Sequence, residues 1–130
     1  MDKWATKEAL FGVKLPREKM SIDGAGDIWI QGLTLGEKDQ YEDEVFKVTA
    51  GSREVRLSNA RSLLVIRTVY DQHGKRVFGE SDLGRVRNLP ASVFEPIYNA
   101  ARRLSGLPIS EVEEMVKNSE AITDPGSDTD

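Results

Sequence analysis

Cysteine is absent from the 130 residues and histidine occurs once. The first absence excludes a disulfide framework and every thiolate zinc site, and it favours a reducing compartment. The second leaves a Ser-His-Asp arrangement or a multi-histidine metal centre with His73 alone, in the turn-forming run Asp71-Gln72-His73-Gly74. Long apolar runs are missing as well: the longest aliphatic stretch, Leu63 to Ile66, falls far below the roughly 18 residues of a membrane span. The opening MDKWATKEAL carries Asp2 and Glu8 and no continuous apolar stretch, so neither a secretory leader nor a membrane anchor is expected.

Other chemistry fails on spacing. Asp71-x-His73-Gly74 lacks the ligand spacing of a calcium loop, and Lys75 and Arg76 would stand beside the cation. Gly24-x-Gly26 has no third glycine where a phosphate cradle needs one and leads into a strand rather than a helix N-terminus. Glu42, Asp43 and Glu44 are consecutive, so on a helix they fan out by about 100° each and do not converge on one bound group. No catalytic residue, cofactor or metal site is expected from these patterns.

What is present is a segregation of charge. Residues 1–52 hold seven Lys/Arg against ten Asp/Glu, residues 53–103 hold ten against five, and residues 104–130 hold one against seven. Such blocks either neutralise one another within the folded domain or meet blocks of opposite sign on other molecules.

Periodicity supplies the elements. Trp4 to Val13 is loosely amphipathic and closes on Leu15-Pro16, as a short helix or an arm. Two extended segments, REKMSI and DIWIQGL, flank the Gly-rich DGAG, a hairpin pattern. Period-two spacing puts Met20, Ile22, Ile28 and Ile30 on one face and turns Trp29 and Gln31 the other way. Thr34-Leu35-Gly36-Glu37 is a capping box opening a helix whose core stripe is Tyr41, Val45 and Val48, with Phe46 alongside and Asp39, Glu42, Asp43 and Glu44 on the exposed arc.

Thr49 to Ser52 ends that helix, and Arg53 to about Tyr70 is apolar over much of its circumference, as befits a central helix. Ser81 or Asp82 can cap a short helix carrying Leu83 and Val86. Ser92-x-x-Glu95 and Ser110-x-x-Glu113 match capping boxes for two further helices, and Ser105-Gly106-Leu107 reads as a glycine cap with a following hydrophobic contact between them. The fold class is therefore mainly α (α+β): an N-terminal β-hairpin followed by a compact bundle of four to five helices. Residues 1–118 form a single globular domain with 1–16 as a helix or arm, and 119–130, acidic and poor in aliphatic side chains, form a disordered tail.

Three stretches in order carry a family likeness: IWIQGLTLGEKDQYE, NARSLLVIRTVYDQHGKRVF and LPASVFEPIYNAARRLSGL. Together, over about residues 15–118, the chain resembles the tail assembly chaperones of long-tailed phages and prophages. The resemblance implies a non-enzymatic protein of the host bacterial cytoplasm that binds the tape measure protein and helps recruit tail tube subunits during tail morphogenesis. It transfers no binding residue position by position.

Candidate protein-binding residues therefore come from the pattern itself: Trp29 and Gln31 on the non-core face of the hairpin, and Arg53, Arg56 and Arg67 within one arc of the central helix. A positive middle block and negative flanks suit head-to-tail self-association along an elongated partner. Trp29 then either anchors an intermolecular contact or lies under an N-terminal segment bearing Trp4, Leu10 and Phe11. Alternatives from other classes are a structural head–tail or tail component retained in the virion, and a nucleic-acid module using the arginine face, which the acidic total and flanks disfavour.

Overall fold

The computed structural model describes residues 3–48 and 52–123. The hairpin forms as its sequence dictates: β1 (Arg17–Ile22) and β2 (Gly26–Gln31) pair antiparallel with Met20 opposite Ile28 and Glu18 opposite Ile30. Gly24 and Gly26 supply the positive φ angles of 82° and 115° that close the turn. Ile30 is fully buried, and Met20, Ile22 and Ile28 pack partly buried against the same core.

A third strand was not expected. The central helix α3 (Arg53–Thr68) stops two residues short of its apolar pattern, and β3 (Val69–Tyr70) pairs antiparallel with β2, Trp29 against Tyr70 and Ile30 against Val69. Val69 still donates its N–H to Val65 O, but its own φ and ψ of −96° and 127° are extended. The β-branched pair Thr68-Val69 sits where leaving the helix gains ladder hydrogen bonds on an otherwise open edge. β2 is therefore the middle strand of the sheet, not part of an edge hairpin.

Gly32 carries the chain from sheet to helix at a close approach. A Cβ built there would lie 2.2 Å from the carbonyl oxygen of Leu104, at the end of α5 (Ala91–Leu104), and Gly32 donates its N–H to Pro16 O at 2.9 Å. Beside it, Leu33 N–H donates to the Ser105 hydroxyl at 3.2 Å. The capping box at Thr34 then forms in both directions: Thr34 N–H donates to Glu37 Oε1 at 2.9 Å and Glu37 N–H to Thr34 Oγ1 at 3.1 Å. It opens α2 (Leu35–Val48), which buries Tyr41 and Val45 and half-buries Phe46. The Val48 side chain and Thr49 to Gly51 lie outside the described residues; Ser52 caps α3 by accepting from Val55 N–H.

α3 presents Ala60, Leu63, Leu64, Val65 and Ile66 to the core and packs against α2, α5 (Ala91–Leu104) and α6 (Ile109–Thr123). Between α3 and α5 lie a turn at Asp71–Gly74, a 3-10 turn (Glu80–Asp82) and the short α4 (Leu83–Val86). Asp82 precedes α4, but its carboxylate turns back to accept from Gly79 N–H. The two later capping boxes are not used. α5 starts at Ala91 because Pro90, with φ −54° and ψ 138°, takes the cap position two residues before Ser92, and Val93 and Phe94 donate to Pro90 O.

α6 likewise begins at Ile109, directly after Pro108, with Ser110 inside the helix. Between them the glycine cap is as the sequence suggests. Gly106 at φ 68° donates to Arg103 O, Leu107 donates to Arg102 O, and Leu107 is buried. α6 runs on to Thr123, past the Asn118 at which the globular part was expected to end; residues 124–130 of the acidic tail lie outside the described residues. With α1 (Lys7–Phe11) the described residues hold six helices and one three-stranded antiparallel sheet, an α+β fold.

Candidate interaction face

Alternation along three paired strands gives the sheet a second, outer face. Register places Lys19, Trp29 and Tyr70 in one row and Arg17 opposite Gln31 in the next. The Arg17 guanidinium lies 3.9 Å from the centre of the Trp29 ring, a cation–π contact made on the diagonal between neighbouring strands. Trp29 is half-buried as a result, with Gln31 beside it, also half-buried.

Charge on this face comes from Arg17 and Lys19 of β1 and Asp27 of β2. Asp27 accepts from the Ser21 hydroxyl at 2.6 Å and lies 3.6 Å from Lys19 Nζ. The Ser21 hydrogen bond, with Lys19 beside it, holds the Asp27 carboxyl below the usual carboxylate range. A shallow groove of about 460 Å³ runs along the row, lined by Lys19, Asp27, Ile28, Trp29, Asp71 and Gln72. Asp71 accepts backbone N–H bonds from His73 and Lys75, and those bonds depress its pKa. His73 is an exposed turn residue, and no group of three or more His, Cys, Asp and Glu among the described residues could hold a metal.

The N-terminal segment does not cover Trp29 by burying its own large side chains: Trp4 is 89% exposed and Phe11 83% exposed. The cover over Trp29 is Arg17. The sequence alone does not single out Arg17, and its diagonal contact with Trp29 depends on register, which the turn at Gly24 and Gly26 fixes.

The arginines of α3 are not brought together on one open face. Arg67, whose side chain is 12% exposed, donates through Nε to Glu44 Oε1 at 3.0 Å, through Nη2 to Glu44 Oε2, and to Glu80 Oε1 at 2.6 Å. Burial opposes its charge, but the two carboxylates outweigh that and hold the guanidinium pKa above its ordinary value. Arg56 is half-buried, and the Arg53 side chain lies outside the described residues.

Glu44 is correspondingly not on the exposed arc of α2; its side chain is 19% exposed. The sequence held the signal, since Glu44 is three residues from Tyr41 and so falls on the buried stripe. Other arginines of the positive block are also engaged: Arg61 with Glu95, Arg103 with Glu18, and Arg87 with the Ser58 hydroxyl.

No helix among the described residues is long and apolar enough to cross a membrane. No protein-family model and no curated protein sequence matches the chain. Among solved structures, the fold is similar to that of the bacteriophage HK97 tail assembly chaperone, with a TM-score of 0.54 and 18% sequence identity over 75% of this chain and 94% of that one. At that identity the likeness is one of fold, and it spans nearly the whole of the HK97 protein.

Proposed function

We propose that the chain is a phage tail assembly chaperone: a non-enzymatic protein of the infected bacterial cytoplasm that binds the tape measure protein and helps recruit tail tube subunits. The observation that carries this reading is the fold likeness to the HK97 chaperone over 94% of that protein. The ordered run of Gly32-Leu33-Thr34, the arginine-bearing helix α3 and Leu89-Pro90-Ala91 through Leu104-Ser105-Gly106-Leu107 supports it independently.

The sheet's outer face is the contact surface in this reading. Trp29 supplies a large, half-buried aromatic and Gln31 an amide next to it that can hydrogen-bond, while Arg17 and Lys19 on the same face carry the charge that steers association. Exposed charges in blocks of opposite sign favour head-to-tail contacts along an extended partner. A nucleic-acid module is less well supported, because Arg61, Arg67 and Arg103 are already paired with carboxylates of the same chain.

A morphogenesis experiment tests the assignment. In a phage that encodes the chain, a stop codon early in its gene should leave heads without tails, and the chain should be absent from purified wild-type particles. Its presence at fixed copy number in those particles would overturn the reading in favour of a structural tail component.

A further inference from the structure

Every described residue from Lys3 to Lys14 is exposed, and no residue of α1 is buried. In that short stretch Leu10 is 62%, Phe11 83% and Val13 73% exposed. The folded body begins at Pro16, which accepts from Gly32 N–H and whose ring lies beside Gly32. α1 is nonetheless a formed helix, capped by Thr6 through Ala9 N–H. On it Lys7 stands three and four residues before Leu10 and Phe11, so a cation and two large apolar side chains share one face. Lys3, Lys7 and Lys14 oppose the single acid Glu8.

The complementary pattern occurs between α3 and α6. A groove of about 260 Å³ lies between α3 and α6, lined by Glu54 and Leu57 from one helix and Glu113 and Val116 from the other. The two acids stand exposed at the rim, with Leu57 half-buried between them and Val116 buried at the floor. Both glutamates are exposed, and neither has an ion-pair partner among the described residues.

We infer that residues 4–14 of one copy dock into the α3/α6 groove of a second copy, with Leu10 and Phe11 over the half-buried Leu57 and the arm's lysines on Glu54 and Glu113. Arm and groove are different surfaces, so the contact is heterologous: each copy can give its arm to one neighbour and receive another's, which builds an open chain rather than a closed dimer. This deepens the head-to-tail association of the proposed function and rests on it, while leaving the sheet's outer face free for the elongated partner.

Sedimentation velocity across a concentration series tests it. Leu10→Asp/Phe11→Asp, and separately Glu54→Lys/Glu113→Lys, should each weaken self-association at least tenfold while circular dichroism and the melting temperature of the arm variant stay at wild-type values. Mixing the groove variant with Lys7→Glu/Lys14→Glu should restore association between the two, because their charges are then complementary again. A wild type that stays monomeric across the series, an arm variant that associates as the wild type does, or no recovery in the mixture overturns the inference. Tape measure binding retained by the arm variant would separate this outcome from failure of the chaperone reading itself.

Discussion

Gly32 illustrates how much one missing side chain can decide. Its Cα approaches the α5 terminus so closely that any Cβ would fall on the Leu104 carbonyl, a backbone atom with no freedom to swing away. Gly32→Ala should therefore destabilise the domain by about 1–3 kcal/mol or more, the range of overpacking that forces backbone to move, measured by urea unfolding. Tyr41 decides by burial instead. Its hydroxyl donates to Ala60 O at 2.7 Å, and burial pushes its pKa well above the ordinary 10.0.

A phenol harder to ionise folded than unfolded contributes stability that is complete below the unfolded pKa and lost as pH rises past it. Stability should fall above about pH 10, and Tyr41→Phe should make that alkaline decline shallower while costing about 1 kcal/mol near neutrality for the lost hydrogen bond. Thermal melts between pH 7 and 11 measure both effects.

At the scale of elements, α2 and α3 are joined by a polar contact as well as an apolar one. Arg67 holds Glu44 from α2 and Glu80 from the 3-10 turn, so removing the arginine leaves Glu44 partly buried without its cation. Arg67→Met should cost about 2–3 kcal/mol, below the cost of breaking a fully buried pair because both side chains retain some exposure. Adding Glu44→Leu should recover most of that loss, and a double variant no more stable than the single would contradict this account of the α2/α3 contact.

The elements themselves were largely legible in the sequence. The Gly24/Gly26 turn, the Thr34 capping box, the apolar stripe of α3 and the Gly106 cap are local devices, each complete within a few residues. What the sequence did not disclose depends on distant partners. Val69-Tyr70 leaves the helix because β2 offers it a ladder, and Arg67 turns inward because Glu44 and Glu80 wait there. Ser92 and Ser110 matched a capping pattern but lost to Pro90 and Pro108, which set both helix starts earlier by restricting the preceding backbone. The same limit applied to the outer face, where Trp29 was evident from alternation and its Arg17 cover was not.

For the whole molecule, folding and binding are separable on this account. The core lies between α2, α3, α5, α6 and the inner face of the sheet, whereas Trp29 stands on the opposite face under Arg17. Trp29→Ala should thus cost the monomer only about 1–2 kcal/mol, less than emptying a buried aromatic site. It should weaken capture of the elongated partner by about 2 kcal/mol or more, as truncating an interface anchor does.

The most direct measurement of the central claim is co-expression of the chain with the tape measure protein from the same phage genome, followed by fractionation and affinity purification through a tag on the chain. The account predicts that the tape measure protein moves from the pellet to the soluble fraction and co-purifies with several copies of the wild-type chain, and that Trp29→Ala reduces the yield. A tape measure protein equally insoluble with and without the chain, and absent from its eluate, would contradict it.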